Sequence, residues 1–253
     1  MKKGISVVLI VRNEELNLDA CLKSCSFADE LIVVNDGSTD RTVEIAESYG
    51  AKVFHRALNG DWAAQQNYGI DQATQYWVFL LDADERVTPD LAKKLLECAA
   101  GEDKAYWVQR HNRFKHICAE HGTMRPDWVC RLMPRTKVRI YGQVHPEIRV
   151  QCPPERIHGD GMIHYPYRTW RQYMNKINTY SELSAEKYLS EGRNVVFWRD
   201  VMLRPIWSFI KIYFINRGFL DGKAGFVFSI NNSVYTMMKY VKYYFLKHYS
   251  GEL

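Results

Sequence analysis

Val78-Phe79-Leu80-Leu81-Asp82-Ala83-Asp84 decides the fold: an apolar run that stops on two carboxylates spaced i and i+2. A run of that length with polar residues at its end reads as a strand buried on both faces, as in parallel sheets. Val33-Val34-Asn35-Asp36-Gly37-Ser38-Thr39-Asp40 repeats the pattern, a second apolar run closed by an acidic turn. Open α/β sheets bind ligands outside the carboxyl ends of their strands, where these carboxylates stand. Paired Asp residues can share a hard divalent cation that also holds phosphate oxygens. A nucleoside-diphosphate site is therefore the first expectation.

Working outward, residues 1–100 alternate strand and helix signals. Strands are expected at Ile5–Val11, Glu30–Val34, Lys52–His55 and Trp77–Leu81. Helices are expected at Glu14–Ser24, from the Ser38-Thr39-Asp40 cap through Ser48, at Trp62–Thr74 and at Pro89–Ala99, where Pro sits at the first turn. Such alternation with short links predicts a parallel sheet covered by helices. From Ala105 the pattern changes to shorter strands at Ala105–Arg110, Val129–Met133 and Gly161–His164. From Thr169 the chain reads as helical, over Thr169–Leu189, Val195–Arg217 and Gly225–Lys247. The expected division is a catalytic domain over 1–167 and a helical extension over 168–253, membrane-associating or oligomerising.

The chain has 253 residues, 47% of them hydrophobic, enough for a full core. Six scattered cysteines form no C-x-x-C pair, so neither a zinc site nor a disulfide framework is signalled, and a reduced cytosolic setting fits. The short apolar run after Met1-Lys2-Lys3-Gly4 does not suit a signal peptide, and no uncharged stretch suits a transmembrane helix. Residues 1–100 hold 10 Lys and Arg against 16 Asp and Glu; residues 101–200 hold 17 against 11, and residues 201–253 hold 7 against 2. The acidic front suits a metal–nucleotide site. The basic, aromatic back suits an anionic partner, a membrane surface or phosphorylated glycan before nucleic acid.

Val11-Arg12-Asn13-Glu14-Glu15, Asp36-Gly37-Ser38-Thr39-Asp40 and Asp82-Ala83-Asp84 together resemble the family 2 inverting glycosyltransferases of GT-A fold. Ala64-Gln65-Gln66-Asn67, Arg131-Leu132-Met133, Val144-His145, His164-Tyr165 and Gly218-Phe219-Leu220-Asp221-Gly222 are similar to the bacterial branch with lipopolysaccharide inner-core β-glucosyltransferases. The ordered set spans residues 4 to about 245. Two departures stand out. The branch reads Gln-Arg-Asn where this chain has Gln65-Gln66-Asn67, which removes a phosphate-binding cation. It reads His-Glu where this chain has His145-Pro146-Glu147, which moves the carboxylate by one position.

The resemblance implies an α/β, Rossmann-like GT-A mixed sheet with a helical C-terminal extension. It implies transfer of a sugar, glucose as first guess, from a UDP-sugar to a glycan or lipid-linked acceptor such as lipopolysaccharide core, with inversion and Mg²⁺ or Mn²⁺. Asp84 would ligate the metal, Asp82 would contact ribose or a metal-bound water, and His164 would complete the metal shell. Asp36 would accept the imide hydrogen of uracil. Val11, Arg12, Asn13 and Glu14 would line the nucleoside, and Gln65 and Asn67 would bond donor hydroxyls or phosphate. Inversion needs a carboxylate to take the acceptor's proton. Glu147 leads for that role and Asp127 follows.

Each residue also has a plainer reading: Asp40 a helix cap, Gln65 and Asn67 a polar helix face, Glu147 and Asp127 surface ion pairs, and Arg110, Arg113, Arg125, Arg131, Arg135 and Arg139 a solvated basic face. Tyr235, Tyr240, Tyr243, Tyr244 and Phe245 among Lys239, Lys242 and Lys247 match either core or an interfacial helix on an anionic membrane. The implied location is cytoplasmic, peripheral on the inner face of the inner membrane, and a homo-oligomer is compatible with it. Two other classes fit acidic pairs: a nucleotidyltransferase, which would bring a Gly-rich phosphate loop absent here, and a non-catalytic membrane-associated sugar-nucleotide-binding protein.

Overall fold

The computed structural model describes residues 3–117, 119–142 and 146–251. Val144 and His145, singled out above, lie outside them. Two compact units divide the chain: Met1–His111 with Asp127–His164, and Asn112–Pro126 with Tyr165–Leu253.

The first unit is built on an eight-stranded mixed sheet. Strands β1 (Ile5–Val11), β2 (Glu30–Asn35), β3 (Lys52–His55) and β4 (Trp77–Leu80) form a parallel half in the order β3-β2-β1-β4. The order continues through β7 (Asp127–Pro134), β6 (Ala105–Asn112), β10 (Pro154–His164) and β5 (Glu85–Val87). β4 pairs with β7, β7 with β6, and β10 with β5, all antiparallel. A two-stranded ribbon of β8 (Val138–Tyr141) and β9 (Glu147–Val150) stands apart. β5, β8 and β9 carry no clear signal in the sequence, being three or four residues long with charged residues inside. β5 follows β4 in the chain yet pairs at the far end of the sheet order, which the β10 register alone explains.

Two apolar layers hold the sheet. On one face, α1 (Glu15–Lys23), α2 (Thr42–Ser48) and α4 (Pro89–Ala99) contribute Leu18, Leu22, Ala46, Leu91 and Leu95 against Val7, Leu9 and Phe79. On the other, α3 (Trp62–Gln72) and the ribbon pack Ala63, Ile70, Val138 and Ile140 on Val8, Ile32 and Leu80. Full burial of each such aliphatic side chain contributes about 1.5–3 kcal/mol. α4 is well specified: the Thr88 hydroxyl caps it by accepting from Leu91 N at 3.2 Å, Pro89 opens it, and Leu91, Leu95 and Ala99 repeat on its inner face. Gly69 on α3 lies so close to β1 that a Cβ there would come within 2.6 Å of Val8 Cγ1.

The second unit is helical. α5 (Trp170–Ser190) starts in a capping box between Thr169 and Gln172 and packs along α7 (Gly222–Tyr249). Between them run a π-helical turn at Phe197–Leu203, α6 (Arg204–Ile210) and a second π-helical turn at Lys211–Ile215. Tyr173, Phe228, Met124 and Ala119 form its core. Tyr240 and Tyr243 of α7 are buried, and Lys242 donates to Asn178 O and Oδ1 at 2.8 Å. This part of α7 therefore faces α5, a choice that periodicity cannot make on a helix apolar on most sides. No helix among the described residues is long and apolar enough to cross a membrane.

Candidate active site

The loops after β1, β2 and β4 leave the sheet at one edge. Val11 lies opposite Asn35, and Asp36 N donates to Val11 O at 2.9 Å. Asn13 takes a left-handed backbone (φ 54°), and its own N–H donates to Ser38 Oγ at 3.0 Å. Its Oδ1 accepts from Thr39 N at 2.8 Å. Glu14 N donates to Thr42 Oγ1 at 2.7 Å, and Glu14 Oε2 accepts from Asn17. Asp40 accepts from Glu15 N and Thr42 N, the first residues of α1 and α2, and its carboxyl is lowered because the Thr42 and Glu15 bonds outweigh burial. The two motif loops are thus knitted into one rim.

A cleft of about 660 Å³ opens beside that rim, lined among others by Arg12, Asp36, His55, Arg56 and Leu58. Asp36 is held there from two sides. Its Oδ1 accepts from Leu58 N at 2.8 Å, and Arg12 Nη1 sits 3.3 Å from its Oδ2. Gly37 makes this turn possible at φ +64°, in the left-handed region. Gln65 is fully buried beneath the cleft, donating to Arg56 O at 2.6 Å and accepting from Arg56 Nη1. Asn67 clamps the ribbon, donating to Ile140 O at 2.7 Å and accepting from Ile140 N at 3.0 Å. Both amides therefore serve the fold around the cleft.

The β4 turn carries a second cluster. Antiparallel pairing of β10 with β5 sets His164 opposite Glu85, and His164 Nε2 comes within 3.3 Å of Asp84 Oδ2. Asp82 Oδ2 accepts from Arg131 Nη2 at 2.7 Å. Packed protein behind Asp82 pushes its carboxyl up, but the Arg131 charge and hydrogen bond outweigh this, and the net shift is downward. Glu85, fully buried, accepts from the same Arg131 nitrogen at 2.6 Å and from Asp82 N at 3.0 Å. Its burial wins over Arg131 and its carboxyl is raised. Arg131 is itself raised, the attraction of Glu85 and Asp82 exceeding its desolvation. Arg110 reaches Glu85 at 3.3 Å and clasps Asp127 with two bonds of 3.0 and 2.8 Å, a fork-to-fork geometry. Asp127 is thereby joined to the Asp82 turn through Arg110, Glu85 and Arg131. Glu147, by contrast, is exposed on the β8–β9 ribbon, paired with Arg149 at 3.0 Å.

Among the described residues, no group of three or more His, Cys, Asp or Glu is gathered to hold a metal ion. The donor set at the turn is a pair, the Asp84 carboxylate and the His164 imidazole. Such a pair fits a divalent cation that takes its other ligands from phosphate oxygens and water, the usual manner of nucleotide-bound Mg²⁺.

The sequence model of the family described as Glycosyl transferase family 2 matches residues 6–156, more than half of the chain. The chain belongs to this family. A lipopolysaccharide core biosynthesis glycosyltransferase of Rhizobium meliloti, LpsC, is 27% identical over 252 residues, covering 96% of this chain and 93% of the relative. An uncharacterized glycosyltransferase of Rickettsia typhi is 28% identical over 251 residues, covering 90% and 82%. Among solved structures, a glucosyl-3-phosphoglycerate synthase of Mycobacterium tuberculosis, crystallised with Mn²⁺, UDP and glucosyl-3-phosphoglycerate, is 23% identical. That likeness covers 45% of each chain at a TM-score of 0.36.

In this family 2 glycosyltransferase the GT-A arrangement expected from the motifs is present: a parallel half with acidic turns at its carboxyl edge, antiparallel strands beyond β4 and a helical C-terminal part. Three participants in the cluster were missed as such. Glu85 follows directly on the Asp82-Ala83-Asp84 turn, so its place next to the acidic pair was a usable signal. Arg110 read as a member of a basic face, and Arg131 as that or as part of the Arg131-Leu132-Met133 motif without a role; only the β6–β7 pairing turns them onto Asp127, Glu85 and Asp82.

Proposed function

We propose that this glycosyltransferase moves a sugar, glucose as first candidate, from a UDP-sugar to a glycan or lipid-linked acceptor such as lipopolysaccharide core, with inversion and with Mg²⁺ or Mn²⁺. The observation that carries the reading is the Asp84–His164 contact beside an Arg131-anchored Asp82, on the same sheet edge as the Asp36 cleft. The LpsC relative supports the choice of acceptor. Action at the cytoplasmic face of the inner membrane fits such an acceptor, and 1–167 would serve as catalytic domain with 168–253 as its helical extension.

In this mechanism the Asp36 carboxylate accepts the uracil imide hydrogen, with its other oxygen steadied by Arg12. Val11, Arg12, Asn13 and Glu14 form the rim for base and ribose. Gln65 and Asn67 act on the donor indirectly, holding Arg56 and the ribbon. Asp84 and His164 would hold the divalent cation, whose charge offsets the negative charge that develops on the leaving diphosphate. Asp82 is kept ionised and oriented by Arg131 for ribose or water. The acceptor hydroxyl oxygen forms a bond to the anomeric carbon as the bond from that carbon to UDP breaks; the electron pair leaves with UDP, and the hydroxyl proton goes to a carboxylate. Asp127 suits this role by its link through Arg110 to the Asp82 cluster, and Glu147 is the rival on the exposed ribbon.

Release of UDP from a panel of UDP-, GDP- and ADP-sugars, with and without lipopolysaccharide-core acceptor, tests the reading. UDP-glucose with Mg²⁺ or Mn²⁺ should lead. No turnover of any UDP-sugar would overturn it.

A further inference from the structure

Residues 197–215 are built inside out. Their inward side is small or polar: Val201 and Pro205 are buried, Asn232 Nδ2 of α7 donates to Ser208 Oγ at 2.7 Å, and Ser233 Oγ donates to Pro205 O at 2.7 Å. Their outward side carries Leu203, Ile206, Trp207, Ile210 and Phe214 at helical spacing, preceded by Trp198 and followed by Ile215. Trp198 is 71% exposed, Trp207 57% and Ile215 59%, so these are whole side chains in solvent rather than rims of a core. Phe219, Leu220, Phe226 and Val227 extend the same exposed apolar character. Scattered surface apolar residues are ordinary, but a continuous helical stripe of this kind marks an interaction surface.

Charge identifies the occupant. The two acids of this region are both turned inward and partnered. Asp200, 1% exposed at its side chain, pairs with Arg199 and Arg204, and Asp221 pairs with His121 at 2.7 Å. The exposed ionic groups of this stretch are all cations: Lys211, Arg217 and Lys223, with Arg199 and Arg204 sharing the one buried Asp200. Trp and Phe rings flanked by Lys and Arg, with no exposed acid between residues 197 and 227, match the headgroup layer of an anionic bilayer, where aromatic and aliphatic side chains enter the acyl boundary and cations meet lipid phosphate. Lys239 and Lys242 of α7 are drawn into the unit instead. Lys242 bonds to Asn178, and Lys239 lies over the Tyr188, Tyr235 and Tyr240 rings.

We propose that the 197–215 stripe, with Trp198 and Trp207 as its anchors, docks this enzyme on an anionic phospholipid surface. The proposal assigns a surface to the membrane-acting reading above and rests on it for purpose, but its test does not involve sugar transfer. Full-length protein should float with vesicles of phosphatidylglycerol and phosphatidylethanolamine, less with phosphatidylcholine alone, and less again at high salt. Brominated lipid should quench tryptophan emission, and Trp198→Ser with Trp207→Ser should remove that quenching. Ile206→Glu with Phe214→Glu, both at exposed sites, should weaken partition by about tenfold or more, with the far-UV spectrum and UDP release retained. Lys247→Glu on α7 should have little effect. No flotation at low salt overturns the proposal, as does a homodimer in sedimentation that Ile206→Glu dissociates. Flotation by a protein that turns over no UDP-sugar would leave the docking surface standing and sink the transfer reading.

Discussion

Arg131 and Glu85 are joined at 2.6 Å in the interior of the first unit, and the same Arg131 nitrogen reaches Asp82 at 2.7 Å. One guanidinium nitrogen thus ties a fully buried carboxylate to a carboxylate at the mouth of the site. Breaking a buried pair on one side costs about 3–5 kcal/mol, because the other charge remains without its partner. Arg131→Leu should lower unfolding stability by about that amount, read by urea denaturation. Glu85→Leu combined with Arg131→Leu should cost less than the sum of the single variants, since no buried carboxylate is then stranded. Strict additivity would show that the two side chains do not act as a pair.

Asp84→Asn and His164→Ala should each keep the fold and lower UDP release by at least about 10²-fold, since on the proposed mechanism the leaving diphosphate loses the counter-charge these residues would hold. Excess chelator should do the same to the unaltered enzyme. Full activity in chelator would rule out the metal-dependent mechanism.

Asp127→Asn should lower kcat by at least about 10²-fold with donor affinity unchanged, while Glu147→Gln stays near the parent value. The reverse result, read in single-turnover assays, would transfer the role to Glu147.

Asp36→Ala should weaken UDP binding by about 1–3 kcal/mol, the usual loss when a charged group's hydrogen bond is removed. Titration calorimetry with UDP and CDP checks it, because cytosine lacks the imide hydrogen. Equal affinity for the two nucleotides in the parent protein would contradict the assignment.

Glu30 ties β2 to its surroundings: it accepts from Ser6 and Thr74 and pairs with Lys52 at 2.7 Å. Burial pushes its carboxyl up, but the Lys52, Ser6 and Thr74 bonds outweigh this and bring it from 4.5 down to about 2. A depressed folded value means stability that is fully present above pH 4.5 and lost as pH falls toward 2. The loss is about 3 kcal/mol at the low end. Glu30→Gln should lower stability at neutral pH and flatten the acid limb of the stability curve between those values. An unchanged acid limb would mean that other carboxylates carry it.

The parallel half and its acidic edge were legible in the residues because their determinants are local: apolar runs of strand length, Pro89 at the first turn of a helix, turns at Gly37 and beside Asp82. β1, β3 and α4 fall on their expected bounds for that reason. What lies across the sheet is another matter. The β10–β5 register sets His164 against Asp84, and the β6–β7 pairing points Arg110 and Arg131 inward; both depend on strands far apart in the chain, whose pairing no local pattern encodes. In the helical part, 197–249 is apolar on most sides. Its composition determined that it would be helical and rich in aromatic residues. Only packing decided that Tyr240 and Tyr243 turn in while Trp198 and Trp207 remain out, because a helix without a polar face is oriented by its neighbours rather than by its own periodicity.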